Sequence, residues 1–484
     1  MKQVLVSLFA LVSIASNCWA DERPNIVFAI ADDWGWPHAS IYGNDDVCQT
    51  PTFDRIASEG LLCNHAYVAS PSCTPSRNAI LTGQYHWRLG SGANLHSTLD
   101  TKHKTYPLLL EDAGYHVGSW RKSWGPGKAD NWERFPAGKK YKSPDEFLEA
   151  WDGSKPFCFW LGATDPHRPY KAGTGIASGM DLSKVKLFEH YPDNEVIRSD
   201  VADYYFEVQR FDSDVGKFLA KLEELGVLEN TIVIMTGDHG MPFPRGKGNL
   251  YDSGTRVPLA IKWPRGINKP GRKIDDFVST TDIAPTLLAI AGVEIPAEMT
   301  GRSLQNLFES DQQDRIDPLR DHVLTGKERH VIAQEAPDRG GTPMRAIRNR
   351  DFLLIRNYRP DRWPAGTPNY EKATYPRAWL ADCDNGPTKF YIVENQDRDD
   401  EHRLKYDLAF AKRPEFELYD LRIDPGQVRN IAGEPAYANT LKQLSDQLTA
   451  ELKATDDPRA LGKGDETFDS VPYLGKAPSA SFPE

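Results

Sequence analysis

The sequence predicts an α/β protein: a buried sheet sandwiched by helices, followed by a smaller antiparallel unit. Asn25–Ala31 (NIVFAIA), Phe157–Leu161 (FCFWL) and Thr231–Met235 (TIVIM) are unbroken apolar runs of strand length, the texture of strands buried on both faces. Between the second and third, Asp203–Leu225 places Tyr204, Val208, Phe211, Val215, Phe218 and Leu222 at three- and four-residue spacing, which is a helix packed on that sheet. From about Met344 the runs become short and are broken by Arg, Asn, Asp and Pro, as in a small antiparallel sheet.

In chain order, residues 1–20 carry Lys2, a short apolar run from Leu5 to Ile14 and Cys18-Trp19-Ala20, the layout of a secretory signal peptide. That run is shorter than the roughly 20 residues of a membrane span, so none is expected. A periplasmic or secreted destination follows. A catalytic domain is expected over 21–340. In it, Asp282–Ala291 reads as a helix, with Pro285 near its first turn and Gly292 past its end. A C-terminal α+β subdomain is expected over 341–484. Its strands are Met344–Ile347, Phe352–Ile355 and Glu417–Leu421, its helix is Ala436–Leu452, and its loop-rich stretch runs from about Gly366 to Asp400.

The 484 residues, 39% hydrophobic and 26% charged, suit a soluble globular chain. A net charge of −11 argues against a nucleic-acid partner, which wants a basic face. Five cysteines remain beyond residue 20: Cys48, Cys63, Cys73, Cys158 and Cys383. An odd number in an oxidising compartment leaves at least one thiol unpaired and open to a chemical role.

The residues that follow the apolar runs carry the functional signal, because open α/β sheets bind ligands at the carboxyl ends of their strands. NIVFAIA leads to Asp32-Asp33, and FCFWL to Asp165 and His167. TIVIM leads to Asp238-His239, and His116–Trp120 to Arg121 and Lys122. Adjacent carboxylates repel unless a cation lies between them, and a hard divalent ion such as calcium fits. Cys73 stands at the amino end of a helix marked by Pro75, with Arg77 one turn on, where backbone N–H groups favour an anion.

Cys73-Thr74-Pro75-Ser76-Arg77 followed by Leu81-Thr82-Gly83 resembles the signature of the formylglycine-dependent (type I) sulfatases. Asp32-Asp33 upstream and Thr236-Gly237-Asp238-His239-Gly240 downstream stand in that family's order, as do Pro285-Thr286-Leu287-Leu288 and Glu417-Leu418-Tyr419-Asp420-Leu421. The resemblance covers about residues 23–435 and implies an alkaline-phosphatase-like fold. It implies that a maturation enzyme converts Cys73 to formylglycine (3-oxoalanine). It implies Asp32, Asp33, Asp238, His239 and residue 73 as calcium ligands, and Arg77, Lys122, His167 and Lys247 as catalytic side chains. One position departs: Trp124 stands where the family has a His two residues after the lysine.

The run Met241-Pro242-Phe243-Pro244 through Asn249-Leu250-Tyr251 is similar to heparan sulfamidases (N-sulfoglucosamine sulfohydrolases) and their bacterial relatives. The expected function is hydrolysis of sulfate esters on a carbohydrate, a polysaccharide or its oligosaccharides. A sulfamidase acting on N-sulfoglucosamine is the alternative, and Trp124 keeps a catalytically weak glycan-binding homologue in view. Sugar contacts are expected from Arg88–Leu99, with Asn94 and His96, and from Arg356–Trp379, with Tyr358, Arg359, Arg362 and Trp363.

Overall fold

A computed structural model describes residues 23–375 and 378–476; the expected signal peptide lies outside them. The main sheet has eight strands: β1 Asn25–Ala31, β2 Leu61–Tyr67, β3 His116–Arg121, β4 Lys139–Tyr141, β5 Phe157–Gly162, β6 Thr231–Gly237, β7 Leu259–Lys262 and β8 Arg272–Ser279. Their spatial order is β4-β3-β5-β1-β6-β7-β2-β8. Neighbours run parallel except at β7, which is antiparallel to both β6 and β2. The sheet is therefore mixed.

Successive residues of β1 face opposite sides, as strand geometry dictates. Val27 and Ala29 join a core with Tyr204, Phe211, Val215 and Leu222 of the helix Glu195–Glu224. Ile26, Phe28 and Ile30 join the other, with Ile80 and Leu81 of helix Cys73–Thr82 and Leu287 and Leu288 of helix Ile283–Ile290. Each fully buried Val, Leu, Ile or Phe among them is worth about 1.5–3 kcal/mol of apolar transfer. Two packed faces explain why β1 is apolar throughout.

A second, four-stranded antiparallel sheet follows the order β12-β11-β10-β9, with β9 His322–Lys327, β10 Met344–Asn349, β11 Phe352–Asn357 and β12 Phe416–Asp420. Its apolar face, Leu324, Ile347, Leu354 and Leu418, packs on Leu444, Leu448 and Leu452 of helix Ala438–Ala454. β9 starts upstream of residue 341, where the texture of the sequence changes. The stretch read as loop holds a helix, Pro387–Glu394, whose apolar residues Phe390 to Val393 are consecutive and so show no helical period. No helix among the described residues is long and apolar enough to cross a membrane.

Candidate active site

Strand register assembles the site. β1 pairs with β6 from Asn25↔Thr231 to Ala31↔Gly237, so Asp32 and Asp238, each one residue further on, emerge level. β5 flanks β1 on the other side and delivers His167, and β3 beside β5 ends in Arg121 and so delivers Lys122. The four runs read from the sequence are four adjacent strands. Their carboxyl ends form one edge, and the helix Cys73–Thr82 starts against it.

Asp33 turns inward from a left-handed backbone, φ 74°, and its N–H donates to Asp238 Oδ1 at 2.9 Å. Cys73 Sγ lies 3.3 Å from His239 Nε2 and 3.7 Å from Asp32 Oδ1. Arg77 Nε donates to Asp238 Oδ2 at 2.8 Å, and a second guanidinium nitrogen donates to the Lys122 carbonyl. Lys122 Nζ holds Asp32 Oδ1 at 2.6 Å; Lys247 Nζ holds Asp33 Oδ2 at 3.0 Å. Asp32, Asp33, Cys73, Asp238 and His239 are each at most 2% exposed.

This donor set fits a divalent cation. Oxygens of Asp32 and Asp238, Cys73 Sγ and a His239 nitrogen lie within 4.8 Å of one another. The Gly240 carbonyl, 3.1 Å from His239 Nδ1, can only accept, which places the proton on Nδ1 and the lone pair on Nε2. Nε2 lies 3.3 Å from Cys73 Sγ and 3.2 Å from Asp33 Oδ1, a buried oxygen with no hydrogen-bond donor. A buried carboxylate oxygen that accepts no hydrogen bond is what a cation relieves. Charge agrees. Asp32, Asp33, Asp238 and Asp384 face Arg77, Lys122 and Lys247, leaving one negative charge in excess; a divalent ion makes the cluster positive by one.

Burial opposes every charge here, and pairing decides the outcome. Against its own burial, Asp32 is held well below the usual carboxylate range by Lys122, His167, Arg77 and Lys247. Burial would discharge Lys247, but Asp33 and Asp384 raise it above an ordinary lysine. Burial pushes the Cys73 thiol up, and Lys122 and Lys247 offset only part of that. An unmodified Cys73 is thus a neutral thiol, a poor nucleophile. None of the five described cysteines is disulfide-bonded.

Above position 73 opens a cavity of about 670 Å³ lined by His96, His167, Lys247, His330, Trp379, Asp384 and Tyr473 among others. All nine residues expected at the site converge around its floor. Of the residues expected on the sugar side, His96 and Trp379 line the cavity, whereas Asn94, Tyr358, Arg359, Arg362 and Trp363 do not. Arg362 pairs with Asp338 at 2.8 Å, Arg359 with Asp361 at 2.8 Å, and Trp363 lies under Lys412. Asp165 and Arg121 also turn away, to Arg210 and Asp214. Sequence reading missed Asp384, which shares Lys247, and His330, whose Nδ1 lies 2.8 Å from Ser72 Oγ beside Cys73. Burial, then Lys247 and Lys327, keep His330 neutral.

Trp124 is buried and its indole N–H donates to Asn78 Oδ1. It braces the helix that carries position 73 rather than facing the cavity. Gly125 beside it permits this approach: a Cβ there would stand 2.4 Å from Thr74 Cα.

The family model described as Sulfatase matches residues 24–293, more than half of the chain. The chain belongs to the sulfatase family. The model of the C-terminal region of N-sulphoglucosamine sulphohydrolase also matches, over residues 237–363. This sulfatase is 29% identical to N-sulphoglucosamine sulphohydrolase of Homo sapiens, over 93% of each chain. It is 27% identical to an ulvan-active sulfatase of Formosa agariphila, over 90% of this chain and 76% of that one. Among solved structures, one in complex with its substrate D-glucosamine-2-N,6-O-disulfate superposes with a TM-score of 0.64 at 22% identity, covering 90% and 98%. The alkaline-phosphatase-like fold and the sulfuric ester hydrolase class expected from the sequence both hold. The site is the sulfatase's own carboxyl edge.

Proposed function

We propose that this sulfatase hydrolyses O-sulfate esters on a carbohydrate, with position 73 as the nucleophile once oxidised to formylglycine. The observation that carries the reading is Cys73 at a helix amino end, between a lone-pair-rich acidic cluster and the ammonium groups of Lys122 and Lys247. Formylglycine at position 73 would supply the nucleophile, and a calcium ion, when bound, would supply Lewis acidity there. Asp32, Asp33, Asp238 and His239 would hold the ion.

The chain's own side chains do the remaining work. Arg77, locked to Asp238, and Lys122, locked to Asp32, fix positive charge beside position 73 at no reorganisation cost. Lys247, at the cavity wall, faces the sulfate from the other acid. His167 Nδ1 lies 2.6 Å from the Arg168 carbonyl and must donate to it, so Nε2 is the nitrogen left to protonate the departing sugar oxygen. A periplasmic or secreted location belongs to the same reading, supported by the character of residues 1–20.

The similarity to N-sulphoglucosamine sulphohydrolase along nearly the whole chain, and over its C-terminal region, favours a second reading in which the substrate is a sulfamate on glucosamine. The similarity to an ulvan-active sulfatase supports the ester. One experiment tests both. The protein is purified after co-expression with a formylglycine-generating enzyme. Sulfate release is then measured from 4-nitrocatechol sulfate, glucosamine O-sulfates, N-sulfoglucosamine and ulvan oligosaccharides. Release from O-sulfated sugars is expected, with residue 73 lighter by the exchange of its thiol sulfur and two hydrogens for one oxygen. Equal activity of Cys73→Ala would refute the mechanism.

A further inference from the structure

The last described residues return to the candidate site. After the turn Asp465–Asp469, the segment 471–476 leaves the C-terminal subdomain, and Tyr473, Leu474, Gly475 and Lys476 line the same cavity as Cys73, His167 and Lys247. It is fastened along its length. Arg329, itself 4% exposed, donates to the Val471 carbonyl at 2.8 Å and to that of Pro472 at 3.3 Å, and its guanidinium lies 5.6 Å from the Tyr473 ring. Leu474 N–H donates to the His96 carbonyl at 2.8 Å, and the Tyr473 ring meets the His96 ring edge-on at 5.0 Å. Gly475 runs so close that a Cβ would stand 2.5 Å from His96 Cγ. Asn94 knits the two layers, accepting from Arg329 N–H at 2.9 Å and donating to the Phe468 carbonyl at 3.1 Å.

A further part of the wall is equally fixed. The loop carrying Asp382 and Asp384 is pinned by Lys327 and Lys247, each at 3.0 Å, and Lys389 donates to the carbonyls of Leu380 and Cys383 at 2.9 Å. A cavity of about 670 Å³ is the size of a small-ligand pocket rather than of a polymer groove. A sugar in mid-chain needs two exits, one for each neighbour. A wall of anchored backbone takes that room away.

We propose that residues 471–476 form a specificity-determining strap that makes the pocket accept a chain end, so that sulfate leaves only a terminal ring. The inference rests on the sulfatase reading above. Tyr473 supplies an aromatic face to that ring, and Gly475 lets the strap lie flat on His96.

The test uses the full-length, matured protein and its Tyr473→Ala and Gly475→Val variants. Activity on 4-nitrocatechol sulfate, which has no neighbouring sugar rings, is measured beside sulfate loss from sized, end-labelled heparan and ulvan oligosaccharides, with the desulfated ring located by tandem mass spectrometry. The wild type is expected to lose sulfate from a terminal ring only, whatever the chain length. Each variant is expected either to begin releasing internal sulfate or to lose about tenfold or more in kcat/KM on terminal rings relative to its own aryl-sulfate rate. Internal release by the wild type at terminal rates would overturn the proposal, as would two variants indistinguishable from wild type on every oligosaccharide. Absence of sulfate release from every one of these substrates by the matured wild type would instead remove the proposed activity, and the strap's role with it.

Discussion

Lys247 Nζ lies 3.0 Å from Asp384 Oδ2, tying the loop after β6 to the loop that precedes helix Pro387–Glu394. The same ammonium holds Asp33, so one lysine joins the buried acidic cluster at the floor of the cavity to the loop that walls it. Burial alone would raise the Asp384 carboxyl, but Lys247 and then His167 hold it well below the usual carboxylate range. It is therefore a full negative charge that sets the direction of Lys247. Asp384→Asn leaves the shape and removes the charge. The expected result is a fall in kcat/KM on aryl sulfate of up to roughly 100-fold, the scale of a misplaced catalytic group, with melting temperature little changed. A variant with wild-type kinetics would show that Asp33 alone positions Lys247.

The unpartnered Asp33 Oδ1, 3.2 Å from His239 Nε2, makes a prediction about ions. Dialysis against a calcium chelator should abolish sulfate release and lower the melting temperature, and added calcium should restore both. An ion bound only by the folded state stabilises it by about 2.7 kcal/mol at a hundredfold excess over Kd. Asp238→Ala removes one ligand and the partner of Arg77 together, and should lose the calcium-dependent rise in melting temperature. A rise that persists in this variant would place the ion elsewhere.

Trp124 stands where the resemblance calls for a histidine, and its environment makes it a brace. The side chain packs in the core that holds Ile80, Leu81 and Leu99, and its N–H is spent on Asn78. Truncation to Ala should cost about 3–5 kcal/mol, the range for a buried tryptophan, read by chemical denaturation. Trp124→His should likewise lower stability without raising turnover. A faster Trp124→His enzyme would mean that a base at this position can still reach the reaction.

Where the sequence was legible, one physical rule made it so. A parallel strand buried on both faces reads as an apolar run, and the polar residue that ends it marks the carboxyl edge. Asp32, His167 and Asp238 follow such runs, and Lys122 follows the more broken β3 (HVGSWR). Asp384 escapes because it sits in a stretch without period, held by lysines remote in sequence. His330 had a usable signal. It follows β9, whose Val323-Leu324-Thr325 run is only three residues of strand character before Gly326 and Lys327 break it. β2 and β8 were hidden for a related reason: Asn64, His65 and Asp275 interrupt their apolar runs.

The attachment of the C-terminal helix carries a pH dependence whose sign can be worked out. His322, at the start of β9, lies 2.8 Å from Glu451 of helix Ala438–Ala454 and 2.6 Å from Asp321. Burial opposes its charge, but the two carboxylates prevail and raise it above an ordinary histidine. The folded state thus holds the proton more tightly than the unfolded state does. The resulting stabilisation is complete below the free imidazole value of about 6.5 and is lost as pH rises through the higher folded value. His322→Gln keeps a hydrogen-bonding side chain without the charge. The difference in melting temperature between wild type and His322→Gln should be largest near the acid end of the folding range and shrink above neutrality. A difference that is flat with pH would mean that His322 is neutral in the folded protein and that Leu444, Leu448 and Leu452 alone hold the helix to the sheet.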